Sequence, residues 1–368
     1  MSLAHLAPDY VRAIAPYQPG RPIADVAREL GMSEADIIKL ASNENPLGAS
    51  PKAIAAAAAA LNSTALYPEG AHELKAAISA KHGLPAEQIV LGNGSNDILE
   101  LVARTFLHPG ASAVFSQYSF AVYPLASQAV VERGIVVPAK DYGNDLDAML
   151  KAIDASTKVV FIANPNNPTG TFVPGPQLHD FIARVPKNVL VVLDEAYSEY
   201  LSDADAYNTT FWLTEFPNLI ISHTLSKAYG LAGLRIGFGL GSAELMGLIN
   251  RLRQPFNVNH LAMVAATAAL ADDDFIIESR RVNNEGMRWL EAAFNTRDIG
   301  FIPSHANFIT FKMPRAAEVF QHLLKQGVIV RPVAGYGMPE YLRVTIGTAA
   351  QNERFLTALD KARADLKV

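Results

Sequence analysis

The chain has 368 residues, 50% of them hydrophobic and 18% charged; that length predicts about two domains, and that composition excludes intrinsic disorder. The formal charge of −5, from 31 basic and 36 acidic residues, leaves no footprint for nucleic acid or an anionic membrane surface. No cysteine is present, so disulfides, thiolate catalysis and Cys-based metal sites are excluded, and a reducing cytoplasm is the expected setting.

Met1 to Arg12 lacks the basic-then-apolar layout of a signal peptide. A Pro/Gly-rich stretch comes next (Pro16, Pro19, Gly20, Pro22), expected to pack across a second, smaller domain. Pro51 to Leu61 reads as an alanine-rich helix with proline in its first turn. It holds the longest apolar run, Ala53 to Leu61, far short of the roughly 20 residues of a membrane span.

Short β-prone runs then recur: Gln88–Leu91, Ala113–Ser116, Val159–Ala163, Val189–Leu193, Leu219–Ser222 and Ile236–Gly239. Several are continuously apolar, as strands of a mainly parallel sheet covered on both faces must be. Between the first two, Ile98, Leu99, Leu101, Val102 and Phe106 repeat near a 3.6 period, predicting a helix over Asn96–Phe106. This order predicts an α/β large domain over 41–254. From Pro255 onward the pattern is α+β: a helix at Leu261–Leu270, a strand at Asn307–Phe311, a helix at Ala316–Gln326, a short segment at Val328–Pro332, a strand at Tyr341–Ile346 and a helix at Asn352–Leu366. A small domain built from 1–40 and 255–368 is therefore expected.

The most informative string is Thr224-Leu225-Ser226-Lys227-Ala228-Tyr229-Gly230-Leu231-Ala232-Gly233-Leu234-Arg235. Its lysine comes after an apolar strand and is flanked by small and apolar residues. Such surroundings disfavour an ammonium and lower the lysine pKa, as a nucleophilic lysine requires. Hydroxyls at Thr224 and Ser226 and the Arg235 guanidinium suit a phosphate. Gly94-Ser95-Asn96 opens a helix, and the free amides and dipole of a helix start favour an anion. Gly92-x-Gly94 is followed by Asp97, so it is not a dinucleotide fingerprint. Asp194 ends an apolar run, where it is either a helix cap or a functional carboxylate. The nine histidines form no His-x-x-x-His or similar cluster, so no metal site is expected, and His223 reads as a packing residue.

The lysine string resembles the signature of fold-type I pyridoxal-phosphate aminotransferases, in its class II form. Asn164-Pro165-Asn166-Asn167-Pro168-Thr169-Gly170, Asp194-Glu195-Ala196-Tyr197 and Gly92-Asn93-Gly94-Ser95-Asn96 resemble three further elements of that family, in the same order. The resemblance implies a large domain with a mainly parallel seven-stranded sheet plus a smaller α+β domain. It also implies pyridoxal 5'-phosphate as cofactor. Lys227 would carry it and act as base. Asp194 would keep its ring nitrogen protonated, and Asn167 and Tyr197 would bond its ring oxygen. Tyr118 would stack on its ring, and Gly94, Ser95, Asn96, Thr224, Ser226 and Arg235 would hold its phosphate.

Narrower matches resemble histidinol-phosphate aminotransferases: Pro16-Tyr17-Gln18-Pro19-Gly20, Asn43-Glu44-Asn45-Pro46, Tyr67-Pro68, Val330-Arg331-Pro332 and Leu342-Arg343-Val344. They imply a homodimer in which Tyr67 reaches the partner's cofactor phosphate, and a substrate pocket of Tyr17, Asn45, Arg331 and Arg343. Planar bidentate arginines suit a phosphate substrate. The implied reaction is transamination between histidinol phosphate and 2-oxoglutarate. An aromatic or broad-specificity aminotransferase shares the cofactor motifs and is the alternative. A phosphate-substrate decarboxylase would differ in how substrate is oriented over Lys227. A cofactor-sensing transcription regulator would need a basic DNA-binding segment, for which the residues before Ala41 are too few.

Overall fold

A computed structural model describes residues 3–131 and 133–368. The described strands are β1 (Ile38–Lys39), β2 (Ile89–Gly92), β3 (Ser112–Ser116), β4 (Arg133–Val137), β5 (Thr157–Ala163), β6 (Leu190–Asp194), β7 (Leu219–Thr224), β8 (Gly237–Gly241), β9 (Phe301–Ile302), β10 (Phe308–Lys312), β11 (Val328–Ile329), β12 (Arg331–Pro332) and β13 (Tyr341–Thr345).

Seven of them form one sheet in the order β2-β8-β7-β6-β5-β3-β4. Neighbours from β4 to β7 run parallel, while β8 is antiparallel to both β7 and β2. The α/β class and the mainly parallel seven-stranded sheet expected from the sequence are thus present. Apolar side chains alternate between its two faces, as the period of a strand requires. Along β6, Val191 and Leu193 enter one buried cluster and Leu190 and Val192 another. Helices cover both faces, so the strand reads as a continuous apolar run.

The six strands expected from the apolar runs lie within a residue or two of their places. The seventh, β4, is not among those expected: it is an edge strand that opens on exposed Arg133 and Gly134, and its apolar run, Ile135, Val136 and Val137, is only three residues long. A second omission is the 23-residue helix Asp273–Asn295. Its buried positions, Ile276, Ser279, Asn283, Met287, Leu290 and Phe294, keep helical spacing. Two of the six are polar, which breaks the apolar stripe that betrays an amphipathic helix.

A second, four-stranded sheet has the order β12-β13-β10-β9, and β1 pairs with β11. Ile309, Phe311, Leu342 and Val344 pack there against Phe355 and Leu359 of the helix Ala349–Leu366. The helix His260–Leu270 instead buries Ala262, Met263, Ala265 and Ala266 in the cluster of the seven-stranded sheet. Helix Asp273–Asn295 contributes Ile276 to that cluster and Met287, Leu290 and Phe294 to the other, so it ties the two cores together.

A glycine brings the phosphate-loop helix onto the sheet. A Cβ at Gly237 in β8 would lie 2.5 Å from the Ser95 amide nitrogen and 2.6 Å from the His223 carbonyl oxygen, closer than packed atoms allow. Only glycine lets the start of the helix Ser95–Phe106 reach the ends of β7 and β8.

Candidate active site

A cavity of about 220 Å³ opens where β5, β6 and β7 end and the Ala41–Glu44 segment and β13 close over them. Ligands of open parallel sheets bind at such carboxyl ends. Asp194 is the last residue of β6. It is almost fully buried; Oδ2 accepts from the Tyr123 hydroxyl at 2.9 Å, while Oδ1 has no hydrogen-bond partner. Burial pushes its carboxyl up to about 6, against the opposing effect of the Tyr123 hydrogen bond.

Lys227 stands three residues beyond β7. Its Nζ donates to the Ser42 carbonyl at 3.0 Å and lies 5.9 Å from the Tyr197 ring centre. The residue is half-buried at the cavity wall. Burial first, and the Arg343 charge second, lower its pKa to about 8. The lowered pKa expected from the sequence is therefore present in the fold.

The Tyr197 hydroxyl accepts from Asn43 Nδ2 at 2.9 Å and from Asn167 Nδ2 at 3.2 Å. Burial pushes its pKa up to about 12. Arg343, on β13 and almost fully buried, donates through Nη1 to Asn167 Oδ1 at 2.5 Å and through Nη2 to the Ala41 carbonyl at 3.0 Å. Arg331, on β12, donates to the Gln18 carbonyl at 2.7 Å and to the Tyr17 hydroxyl at 3.3 Å, and its guanidinium lies over the Tyr17 ring.

At the other end of the cavity, Gly94 precedes the helix with φ of +85° and supplies no side-chain cap. The first-turn amides of a helix have no carbonyl partner within it, and Ser95 and Asn96 line the cavity. Arg235 donates through Nη1 to Ser226 Oγ at 3.2 Å, and Thr224 Oγ1 donates to Ser226 Oγ at 2.9 Å. A Cβ at Gly94 would stand 2.5 Å from Arg235 Nη2. Guanidinium, hydroxyls and helix start therefore converge as an anion cradle.

The structure thus brings Lys227, Asp194, Tyr197, Asn167, Ser95, Asn96, Thr224, Ser226, Arg235, Tyr17, Arg331 and Arg343 around one cavity, with Gly94 packed behind Arg235. Three residues fall elsewhere. Tyr118 does not line the cavity: its ring stacks with Tyr142 at 5.9 Å, and Phe120, two residues on, takes the lining position. The turn into the helix Val122–Gln128 directs Phe120 inward, edge-on to Tyr123. Asn45 is also outside the lining. Its Nδ2 donates to the Ala228 carbonyl and Ser279 Oγ, both at 2.8 Å, and its Oδ1 accepts from the Leu47 amide. That side chain is spent on holding the loop to the helix Asp273–Asn295. Tyr67 is 77% exposed and stacks on Phe256 at 4.7 Å, away from this chain's cavity. Sequence reasoning assigned no role to Ser42, Asn43, Phe120 and Tyr336, which all line the cavity; of these, Asn43 stood in the Asn43-Glu44-Asn45-Pro46 segment already singled out, and Phe120 lay two residues beyond Tyr118.

The family model for aminotransferase class I and II matches residues 35–359. The chain belongs to this family. It is 58% identical over 362 residues to histidinol-phosphate aminotransferase 1 of Thiobacillus denitrificans, covering 98% of this chain and 94% of that one. Identity to histidinol-phosphate aminotransferase 2 of Pseudomonas aeruginosa is 54%, over 98% of each chain. Among solved structures, that of histidinol-phosphate aminotransferase from Sinorhizobium meliloti in complex with pyridoxal 5'-phosphate superposes with a TM-score of 0.88 at 25% identity, covering 97% of both chains. An aspartate aminotransferase from Thermus thermophilus, at 20% identity and a TM-score of 0.81, shares the fold.

Proposed function

We propose that this chain is a histidinol-phosphate aminotransferase. With pyridoxal 5'-phosphate as cofactor, it exchanges an amino group between histidinol phosphate and 2-oxoglutarate, giving imidazole-acetol phosphate and glutamate in histidine biosynthesis. The observation that carries this reading is the convergence of Lys227 and Asp194 with Arg331 and Arg343 on one cavity, in a chain similar over nearly its full length to proteins of that name. Those relatives do not favour the aromatic or broad-specificity alternative.

The residues fit the cofactor. Asp194 Oδ1 is a buried oxygen without a partner, suited to a protonated ring nitrogen. Ser95, Asn96, Thr224, Ser226 and Arg235 suit the phosphate, and Phe120, in place of Tyr118, offers an aromatic face. When bound, pyridoxal phosphate supplies an electron sink for negative charge at the substrate carbon.

The chain's own residues supply the rest. Lys227 would hold the cofactor and then act as the base: its Nζ, uncharged above about 8, would take the proton from the substrate carbon that bears nitrogen and deliver it to the cofactor's aldehyde-derived carbon, as transamination requires. Asp194 keeps the ring-nitrogen proton in place. Tyr197 and Asn167 orient the ring oxygen. Arg331, Arg343 and Tyr17 bind the substrate phosphate, and the same arginines hold the carboxylates of glutamate and 2-oxoglutarate in the other half of the cycle.

The active unit is a homodimer in this reading. Ile54, Leu61, Leu66, Tyr67 and Phe256 are large apolar side chains, each more than half exposed, and a second copy of the chain would cover them and receive Tyr67. The lobes are 41–254 with the helix His260–Leu270 added, against 1–40 and the remainder of 255–368, and the passage between them lies in the helix Asp273–Asn295. Among the described residues no helix is long and apolar enough to cross a membrane; we place the enzyme in the cytoplasm because its charged substrates do not cross membranes unaided.

Purified protein loaded with pyridoxal phosphate is expected to form glutamate and imidazole-acetol phosphate from the two substrates. Formation of neither product would reject the assignment.

A further inference from the structure

Six side chains that carry charge line the cavity: Glu44, Asp194, Lys227, Arg235, Arg331 and Arg343. In the aminotransferase reading, Asp194, Lys227 and Arg235 serve the cofactor, and Arg331 and Arg343 serve the substrate phosphate. Glu44 is left over. It is the one anionic lining group, among the described residues, that those roles do not use.

Its setting is built rather than incidental. Glu44 Oε1 accepts from Lys39 Nζ at 2.9 Å, and Lys39 is fixed on β1, whose backbone pairs with β11 beside Arg331 on β12. The flanking residues are also tied down. The Asn43 amide donates to Thr345 Oγ1 at 2.9 Å, and Asn45 is anchored to Ala228 and Ser279. Glu44 is therefore held between two immobilised neighbours. Its charge acts on Lys227 and raises the pKa of that amine against the effect of burial, so the carboxylate is within electrostatic reach of the reacting centre.

Histidinol phosphate carries three polar groups: phosphate, amine and imidazole. The arginines take the phosphate, and the amine must arrive uncharged to react. The imidazole N–H is the donor that remains, and a carboxylate accepts it with charge assistance. Taking the proposed substrate as the basis, we propose that Glu44 is the specificity-determining residue for the imidazole, accepting its N–H while Lys39 holds the carboxylate in place. A phenyl ring in the same position would offer the half-exposed Glu44 carboxylate no N–H and would cover part of it from water, leaving Lys39 as its one side-chain donor, which is how a site that hydrogen-bonds a substrate N–H disfavours the analogue lacking it. Lys39 is then a positioning residue that acts through Glu44.

The test compares histidinol phosphate with phenylalaninol phosphate, which keeps the amine and phosphate and replaces only the imidazole. The holoenzyme is expected to favour histidinol phosphate in kcat/KM. Glu44→Gln should shrink that ratio by about tenfold or more, as loss of a hydrogen bond to a charged group implies, chiefly through KM for histidinol phosphate. Glu44→Asp should restore part of the ratio. Calorimetric binding of both compounds to the pyridoxamine form should show the same loss without turnover. Should Glu44→Gln fold poorly, Lys39→Met is expected to shrink the ratio in the same direction. A ratio unchanged in Glu44→Gln, or in Lys39→Met where that variant stands in, would overturn the role of Glu44 while leaving the function intact. A wild-type enzyme that prefers phenylalanine to histidinol phosphate would overturn both.

Discussion

Arg343 and Asn167 are joined by a 2.5 Å hydrogen bond across the cavity, from a guanidinium on the four-stranded sheet to the amide of a loop beyond the seven-stranded one. Asn167 passes the contact on, donating to the Tyr197 hydroxyl at 3.2 Å. In the proposed reading, a substrate-side arginine would thus orient a cofactor-side pair. Arg343→Lys keeps the charge but loses the planar fork that spans Asn167 and the Ala41 carbonyl. We expect kcat/KM for histidinol phosphate to fall by about a hundredfold, with a smaller fall in affinity for pyridoxal phosphate. Equal losses in both would place Arg343 on the cofactor instead.

Lys227 titrates near 8 because it is buried and faces Arg343. Cofactor uptake by the cofactor-free protein should therefore quicken as pH rises through about 8. Arg343→Met removes a positive neighbour and should move that midpoint upward. Lys227→Ala should abolish transamination; a fully active variant would refute its role.

Asp194 illustrates the opposite pressures of stability and function. Its folded-state pKa is raised from 3.8 to about 6 by burial. The folded chain therefore binds this proton more tightly than the unfolded one. The contribution is fully present below pH 3.8 and is lost as pH rises through about 6, amounting to roughly 3 kcal/mol. In the cofactor-free protein at about pH 8, Asp194→Asn should raise Tm by a few degrees, while activity in the loaded enzyme falls steeply. Melting of the two proteins at about pH 8 and about pH 4.5 checks the sign, since the difference should narrow at the lower pH.

Tyr118, expected to stack on the cofactor, packs on Tyr142 instead, and Phe120 lines the cavity. Phe120→Ala should weaken pyridoxal phosphate binding by about tenfold, the scale of a lost aromatic contact. Tyr118→Ala, whose ring rests on Tyr142, should bind the cofactor nearly as wild type does. Equilibrium titration of the two variants separates the assignments.

The difference between Tyr118 and Phe120 shows where a sequence stops being legible. Lys227, Asp194 and Asn167 sit at or within a few residues of the ends of buried strands, and apolar runs mark those ends clearly. Tyr118 and Phe120 occupy a turn, where two residues of chain reverse the side-chain direction and no periodicity records it. Asn45 departs from its expected place for a related reason: its partner Ser279 lies 234 residues away, on a helix whose buried polar positions hide it. Edge strand β4 escapes a sequence reading because its apolar run, Ile135, Val136 and Val137, is short and follows exposed Arg133 and Gly134.

Tyr67 and Phe256 expose a stacked apolar pair. Ile54→Glu with Phe256→Glu should shift the protein from dimer to monomer in sedimentation and remove activity with it. A monomer that keeps full activity would contradict a shared site.

The most direct measurement is the ratio of kcat/KM for histidinol phosphate to that for phenylalanine, each with 2-oxoglutarate and saturating pyridoxal phosphate. Two buried or half-buried arginines at the cavity wall predict a ratio well above one, falling toward one in Arg331→Ala. A wild-type ratio below one would contradict the assignment and mark the chain as an aromatic aminotransferase.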